Sequence, residues 1–160
     1  MTIKVGDKIP GGIKLKQKTA DGMKDVTTDE FFKGKVALFA LPGAFTPTCS
    51  AKHLPGFVQK ADEIKSKGVG KIACLSVNDA FVMEAWGKAN NCEGKVEMLA
   101  DGSGDFTRAV GLELDLTPNG MGKRSQRYSM LVEDGVVKAL NVEKQGAFEV
   151  SSAEAMLRAL

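Results

Sequence analysis

The feature that most constrains the fold is a run of six apolar residues, Val36 to Leu41, which leads into the sequence Pro42-Gly-Ala-Phe-Thr-Pro-Thr-Cys49. An uninterrupted apolar run of this length is typical of a strand buried on both faces, in a central or parallel position in a sheet. Apolar residues then recur at helical spacing, at Phe57, Ala61 and Ile64. The chain therefore passes from a buried strand into a helix, and a cysteine lies at the junction.

The junction places Cys49 in the first turn of the predicted helix. Thr46 followed by Pro47 indicates a helix start, with threonine as the N-cap and proline at the first helical position. Cys49 then lies beside unpaired backbone N–H groups and the positive end of the helix dipole, which favour the thiolate. Since the thiolate is the nucleophile, this position indicates a reactive cysteine. The alternative is a small buried apolar residue, as most free cysteines are.

Length and composition favour an ordinary globular domain spanning residues 1–160. A chain of 160 residues can bury a core without disulfides, and its 43% of apolar and 26% of charged residues are usual for such proteins. The net charge is +2 and no run of five basic residues occurs, so we expect no nucleic-acid partner. No apolar stretch is long enough to span a bilayer, so we expect no membrane partner.

The cysteine pattern excludes two common classes of site. Cys49, Cys74 and Cys92 are an odd number without a C-x-x-C pair, which does not fit a secreted disulfide framework. With one histidine and no ligand-spaced pair they make a poor zinc site, so we expect no metal and no cofactor. The N-terminal residues carry neither an apolar signal-peptide core nor an Arg-rich leader. We therefore expect a reducing, cytoplasmic compartment.

Strand and helix patterns alternate along the chain, which predicts an α/β domain of three layers. Pro55 is expected to kink or restart the helix that carries Cys49, and capping boxes are expected at Thr27 and Ser151. The expected strands are 13–17, 23–26, 36–41, 71–77, 96–100, 128–132 and 136–142, with a loop at 118–122. The expected helices run through Phe31 and Phe32, over 80–89, over 106–110, and from Ser152 to Leu160.

The residues around Cys49 resemble the active-site motif of the peroxiredoxins, Pro-x-x-x-Thr-x-x-Cys, which is formed here by Pro42, Thr46 and Cys49. The longer run from Pro42, followed by His53-Leu-Pro-Gly-Phe57, is similar to that of type II peroxiredoxins, the peroxiredoxin-five subfamily. The stretches 73–79, 99–101 and 127–130 extend the resemblance over almost the whole chain. The resemblance implies a thioredoxin fold, three-layer α/β/α, with an N-terminal β extension, and a homodimer.

The resemblance also implies a thiol peroxidase that reduces hydrogen peroxide and alkyl hydroperoxides. Cys49 would be the peroxidatic cysteine, whose thiolate attacks a peroxide oxygen and becomes a sulfenic acid. In the family's pattern the Thr46 hydroxyl bonds the sulfur or the substrate, Pro42 shields the thiolate, and Arg127 supplies a permanently charged guanidinium. Thr46 as a cap alone, Arg127 as a surface cation, and Arg124 as a second contributor remain alternatives.

Two further side chains near the motif are open to interpretation. His53 lies four residues after Cys49 and can share a helix face with it, and a Cys–His pair would suit nucleophilic hydrolase chemistry. No Asn or Asp is evidently placed to orient the ring, and Pro55 distorts the helix, so we expect a structural role for His53. We expect Trp86 in the core or in a pocket wall.

The sulfenic acid is expected to be resolved from outside the chain. Some relatives carry a second cysteine near the C-terminal helix, where this chain has Ser151 and Ser152. Cys74 lies within an apolar run and is expected to be an inert core thiol, whereas Cys92 at a helix end is expected to be exposed. The reductant would be glutathione with glutaredoxin, or thioredoxin.

Two other function classes use the same cysteine. A thiol–disulfide oxidoreductase is disfavoured, because Cys49 has no partner cysteine three residues away. A peroxide sensor or redox-regulated binding module remains the alternative to the enzyme.

Overall fold

The computed structural model describes residues 2–160, and its regular elements alternate much as the sequence patterns predict. The strands are β1 (Lys14–Thr19), β2 (Gly22–Thr27), β3 (Lys35–Ala40), β4 (Lys71–Ser76), β5 (Glu97–Ala100), β6 (Glu113–Leu116), β7 (Gly122–Ser125), β8 (Tyr128–Glu133) and β9 (Val136–Val142). The helices are α1 (Thr28–Phe31), α2 (Leu54–Gln59), α3 (Ala61–Ser66), α4 (Ala80–Ala89), α5 (Asp105–Ala109) and α6 (Ala153–Ala159). A π-helical turn, Cys49–His53, leads into α2, and a 3₁₀ turn, Thr117–Asn119, follows β6.

The main sheet has the strand order β2-β1-β5-β4-β3-β8-β9. Strand β3 pairs parallel with β4 and antiparallel with β8, so that Leu38 lies between Ala73 and Met130. Strand β3 is therefore central, and its residues from Val36 to Ala40 are completely buried. The prediction of a central strand buried on both faces is confirmed. The β1–β2 hairpin extends the sheet beyond β5 and forms the N-terminal β extension.

Two apolar cores lie on opposite faces of this sheet, and alternate residues of β3 enter each. Phe39 belongs to the core under α2, α3, α4 and α6, together with Phe57 and Trp86. Leu38 belongs to the core under α1 and α5, together with Phe106. The arrangement is the predicted three-layer α/β/α sandwich. No helix in the described part of the chain is long and apolar enough to cross a membrane.

The first residues of three helices show which of the predicted N-caps form. Asp79 caps α4 by accepting the N–H of Val82, and the helix occupies the predicted residues. Thr27 makes no side-chain cap to α1, so the capping box expected there is absent. At α6 the cap is Ser152 rather than Ser151, because the hydroxyl of Ser151 is bonded to another partner described below.

The 118–122 region is the clearest departure from the expected fold. The sequence predicts a loop there, but the 3₁₀ turn and β7 occupy most of it, and β7 pairs antiparallel with β6 as a separate hairpin. These strands have four residues each, and β7 contains no apolar residue, so the sequence gives only a weak strand signal there. Gly120 and Gly122 both have positive φ values, which glycine adopts without strain, and this permits the tight connection.

Candidate active site

The loop between β3 and the helical segment is held by hydrogen bonds to neighbouring parts of the fold. The Ala44 N–H donates to Asn78 Oδ1 at 3.0 Å, just beyond the end of β4. The Thr46 hydroxyl donates its proton to the Gly43 carbonyl at 2.7 Å. Phe45 is exposed and adopts a left-handed φ of 60°, which costs about 1 kcal/mol for a residue with a Cβ. The loop therefore has a defined shape before any ligand binds.

Cys49 lies in the first helical turn, as predicted, but the chain is α-helical only at Pro47 and Thr48 and becomes π-helical at Cys49. Its carbonyl accepts the N–H of Leu54, five residues on. In an α-helix Pro55 would lack a donor and its ring would press against the carbonyl of Ala51. The wider turn precedes Pro55 directly, and the helix then runs through the proline and breaks at Lys60. The helix irregularity expected at Pro55 therefore begins at Cys49. Such π turns are frequent at functional sites.

The Cys49 thiol is buried, with 1% of the residue exposed, and it faces a cation. Arg127, in the short connection between β7 and β8, brings its Nη2 to 3.0 Å from the sulfur. A guanidinium is charged at every physiological pH and stabilises negative charge on a group this close. The two residues that the sequence singled out are thus in direct contact.

The second terminal nitrogen of Arg127 contacts His53. Arg127 Nη1 lies 2.8 Å from His53 Nδ1, and His53 Nε2 lies 2.9 Å from the Ser151 carbonyl oxygen. The carbonyl can only accept, so Nε2 carries the proton and Nδ1 accepts from Arg127. Burial, together with the charge of Arg127, lowers the His53 pKa to about 3, although the Ser151 carbonyl and Glu143 act in the opposite direction. His53 is therefore neutral at physiological pH.

Ser151 is held in turn by Glu143, which follows β9. The Glu143 carboxylate accepts the N–H groups of Glu149, Val150 and Ser151 at 2.8 to 2.9 Å, and the Ser151 hydroxyl at 2.7 Å. Burial acts to raise the Glu143 pKa, but these hydrogen bonds outweigh it and the pKa is lowered. Sequence reasoning missed Glu143, since nothing in its local sequence distinguishes it from the other acidic residues.

The remaining predicted residues take different places around the sulfur. The Thr46 hydroxyl already donates a hydrogen bond to the Gly43 carbonyl, so in this arrangement it can accept a hydrogen bond but cannot donate one to the sulfur. Arg124 does not contact Cys49. Its Nη1 donates instead to the Pro42 carbonyl at 3.2 Å, so it supports the loop. Pro42 is half-buried beside the site.

Trp86 also supports the cysteine. It is completely buried in the core, as predicted, and its Nε1–H donates to Ser50 Oγ at 3.0 Å. This bond ties α4 to the π turn one residue after Cys49. The two side chains are 36 positions apart in sequence, which is why no local pattern indicated the contact.

The other two cysteines are buried free thiols. Burial raises the pKa of Cys74 well above its usual value, with smaller contributions from Cys92 and Cys49, and burial raises the pKa of Cys92 to about 11. The core position predicted for Cys74 is confirmed. The prediction that Cys92 is exposed is wrong, since 2% of the residue is accessible. Asn91 has a left-handed φ of 57° that reverses the chain after α4, and this turns Cys92 back under Gly87.

A small cavity opens beside Arg127 and Pro42. It has a volume of about 130 Å³ and is lined by Pro42, Thr48 and Arg127 together with the segment from Glu143 to Ala147. Its size suits a small molecule that reaches the guanidinium. Among residues 2–160, no group of three or more His, Cys, Asp or Glu side chains is placed to hold a metal ion.

Comparisons with known proteins show which family shares this sequence and fold. The family model described as Redoxin matches residues 4–157. Peroxiredoxin-2E, a chloroplastic protein of Arabidopsis thaliana, is 56% identical over 99% of the chain and 70% of its own length. Peroxiredoxin-2B of the same plant is 50% identical over 99% of the chain and 98% of its own length.

A solved structure gives the same result for the fold. The crystal structure of reduced Prx3 from Vibrio vulnificus in complex with hydrogen peroxide superposes with a TM-score of 0.94, at 53% identity over 99% of each chain. The predicted thioredoxin fold is confirmed by this similarity together with the family match.

Proposed function

The chain belongs to the Redoxin family and is a peroxiredoxin, a thiol peroxidase, and on that premise we propose that Cys49 is the residue that attacks the peroxide. The observation that carries this proposal is the 3.0 Å contact between Arg127 Nη2 and the sulfur of Cys49, which is buried in the first helical turn. A guanidinium there stabilises negative charge on the sulfur, and the thiolate is the nucleophilic form of cysteine.

The proposed reaction begins with attack of the thiolate on one peroxide oxygen. The sulfur–oxygen bond forms as the oxygen–oxygen bond breaks, so Cys49 becomes a sulfenic acid and the peroxide is reduced. The electron pair of the broken bond leaves on the second oxygen, which takes up a proton and departs as water or an alcohol. Arg127 stabilises the charge as it moves from sulfur to that oxygen, which is where a fixed donor lowers the barrier most.

Thr46 and Pro42 have supporting roles in this proposal. Because the Thr46 hydroxyl donates to the Gly43 carbonyl, its oxygen remains available as a hydrogen-bond acceptor. It would therefore accept a hydrogen bond from the O–H of a bound hydroperoxide rather than donate one to the sulfur. Pro42, which lines the cavity, would limit access of water to the thiolate.

Hydrogen peroxide and alkyl hydroperoxides are the proposed substrates. A cavity of about 130 Å³ is lined by Arg127 and Pro42, although not by Cys49 itself, and supports binding of a small molecule near the guanidinium. The similar Prx3 of Vibrio vulnificus was crystallised in complex with hydrogen peroxide, which supports the same substrate class for this chain.

An external thiol is the proposed reductant of the sulfenic acid. That thiol would displace water to give a mixed disulfide with Cys49, and a second thiol would release the reduced enzyme. The burial of Cys74 and Cys92 supports an external partner, since the raised pKa of each thiol keeps it protonated and weakly nucleophilic. Glutathione with glutaredoxin, or thioredoxin, would fill this role.

The finer assignments follow from the motif. We place the chain in the type II, peroxiredoxin-five subfamily, as one domain over residues 1–160 that forms a homodimer in the cytoplasm. The run from Pro42 to Phe57 supports the subfamily. The relatives include a chloroplastic protein, so the location is tested by imaging the full-length product in its own cell.

Turnover assays test the proposed function. Peroxide consumption is measured for the wild type, Cys49→Ser and the control Cys92→Ala, with glutathione plus glutaredoxin and with thioredoxin supplied separately. We expect sustained turnover with at least one system in the wild type and the control, and none in Cys49→Ser. Turnover retained by Cys49→Ser would overturn the assignment. Oxidation that stops after one equivalent with every reductant would instead favour a peroxide sensor.

A further inference from the structure

His53 lies one helical turn from Cys49 and uses both of its ring nitrogens. The residue is completely buried, and its contacts run from Arg127 on one side to the Ser151 carbonyl on the other. Burial requires a partner for each ring nitrogen, and here one of the two partners is the guanidinium that also faces Cys49. The geometry instead forms a continuous series of hydrogen bonds that ends at the Cys49 sulfur.

The plane of the ring is fixed by aromatic neighbours. The centroids of Phe39 and Phe148 each lie 5.0 Å from that of His53, and Phe57 lies 5.7 Å away. Close packing of this kind restricts a side chain to one orientation. The direction in which Nδ1 points is therefore determined by the core and not by Arg127.

We propose that His53 is a positioning residue for peroxide reduction: its Nδ1 accepts from Arg127 Nη1 and thereby aims Nη2 at the Cys49 sulfur. The proposal rests on the function proposed above, in which Cys49 is the nucleophile and Arg127 its cationic partner. It replaces the structural role that the sequence alone indicated for His53.

A neutral imidazole suits this task better than a carboxylate. A carboxylate at the same place would pair with the guanidinium and offset part of its charge. His53 orients Arg127 without reducing the positive charge available to the sulfur. The lowered pKa of His53, which results from burial and from Arg127 itself, is consistent with this neutral state.

The segment from Glu143 to Ser151 completes the arrangement. Glu143 holds Ser151 through its N–H and its hydroxyl, and this places the carbonyl that receives His53 Nε2–H. The Glu143 N–H also donates to the Arg127 carbonyl at 2.9 Å, so the same residue contacts both ends of the series. Phe148, from within the segment, lies 5.8 Å from the Arg127 guanidinium. The orientation of Arg127 thus depends on this segment as well as on the helix.

A double-mutant cycle tests whether His53 acts through Arg127. His53→Phe removes the acceptor but keeps a ring in the aromatic surroundings, and His53→Asn keeps an acceptor near the position of Nδ1. Each is made in the wild type and in Arg127→Gln, with Arg108→Gln as a surface-arginine control, since Arg108 pairs with the exposed Asp105. The first oxidation by hydrogen peroxide is followed by the fluorescence of Trp86, the one tryptophan.

The expected result is a loss of rate that depends on Arg127. His53→Phe should slow the first oxidation by about 10-fold, the effect of losing one hydrogen bond to a charged group. His53→Asn should recover most of that rate, and His53→Phe should have no further effect in the Arg127→Gln background.

Three outcomes would overturn the positioning role. The first is a wild-type oxidation rate in His53→Phe, and the second is an equal loss of rate in the wild-type and Arg127→Gln backgrounds. The third is a loss of oxidation rate that is proportional to the loss of stability to denaturant. If His53→Phe does not fold, Glu143→Gln enters the same cycle, and an equal effect with and without Arg127 contradicts the proposal. A wild-type rate in Arg127→Gln would refute the proposed function itself, whereas a slow Arg127→Gln beside a normal His53→Phe refutes the positioning role alone.

Discussion

Arg127 is the residue at which most of the site's interactions meet. One terminal nitrogen faces the Cys49 sulfur and the other faces His53. Arginine offers a permanent charge and two terminal nitrogens in one rigid plane, whereas a lysine ammonium is a point charge on a flexible stem. A lysine could be attracted to the thiolate, but it could not be held by His53 in the same way.

His53 makes the folded protein sensitive to acid. The folded-state pKa is about 3, lowered by burial and by Arg127, while a histidine in an unfolded chain titrates near pH ~6.5. Between these pH values the unfolded chain binds a proton that the folded chain does not, so stability falls as the pH falls. From pH 6.5 to pH 5 the free energy of unfolding should decrease by about 1.5 kcal/mol on this account.

Urea unfolding of the wild type and His53→Phe at these two pH values measures that contribution. His53 is the one histidine of the chain, so carboxylate titration is common to both proteins and cancels in the difference. We expect the stability of the variant to change less between the two pH values, by about the amount given above. The same pH dependence in both proteins would contradict a neutral buried His53.

The sequence predicted the chemistry of individual residues better than their contacts. Cys49 was indicated by its place after a buried strand and a Thr-Pro pair, and Arg127 by resemblance to a family. Their approach could not be predicted from local patterns, since the two are 78 positions apart and meet only when β3 pairs with β8. Glu143 was missed for the same reason.

The π turn is the element that presents Cys49, and α4 stabilises it from the side. The indole N–H of Trp86 donates to Ser50 Oγ from within the buried core. Ser50→Ala should therefore leave the indole unpaired and reduce the free energy of unfolding by about 1–3 kcal/mol. It should also slow the first oxidation, because the first helical turn loses its lateral support.

Denaturant unfolding and tryptophan emission check this role of the π turn. Ser50→Thr serves as the control, since it keeps the hydroxyl and should remain within about 1 kcal/mol of the wild type. If Ser50→Ala is as stable as Ser50→Thr and reacts at the same rate, the bond to Trp86 does not support the turn.

Elements with strong periodicity were predictable, and those that depend on distant contacts were not. The residues of α4 were predicted because Asp79 caps a clear helical pattern. The π turn was not, since it follows from a one-residue shift in hydrogen bonding ahead of Pro55. The β6–β7 hairpin was missed because its strands are short and β7 contains no apolar residue.

At the scale of the whole molecule, the fold gives the three cysteines different surroundings. Cys49 meets a cation at the end of a central strand, whereas Cys74 and Cys92 lie within the core beneath α4 and remain protonated. Cys74→Ala/Cys92→Ala should therefore keep near-wild-type turnover with its reductant. Alanine is used because serine would bury an unpaired hydroxyl.

Steady-state turnover and non-reducing mass spectrometry together check that the reductant is external. Without reductant, the peroxide-treated wild type should carry sulfenic or more oxidised Cys49. A dominant disulfide from Cys49 to Cys74 or Cys92, with activity lost in the matching single variant, would show that the chain resolves itself.

The three-layer fold was predictable because strand patterns alternate with helix patterns. The apolar run from Val36 to Leu41 also indicated the strand at the centre of the sheet. The position of the β1–β2 hairpin beside β5 was not predictable, because β1 pairs with β5 through one residue pair, Lys16 and Ala100. The burial of Cys92 depended on a left-handed turn at Asn91 that no pattern indicated. The single domain, the homodimer and the cytoplasmic location stay as predictions.

The position of the first added oxygen tests the central claim most directly. The reduced protein is treated with one equivalent of hydrogen peroxide, the sulfenic acid is trapped with a dimedone-type reagent, and the modified peptide is identified by mass spectrometry. The trapped group should lie on Cys49, and the yield after a fixed short time should fall strongly in Arg127→Gln but not in Arg108→Gln. A first oxygen on Cys74 or Cys92, or an Arg127→Gln variant that oxidises as fast as the wild type, would contradict the account.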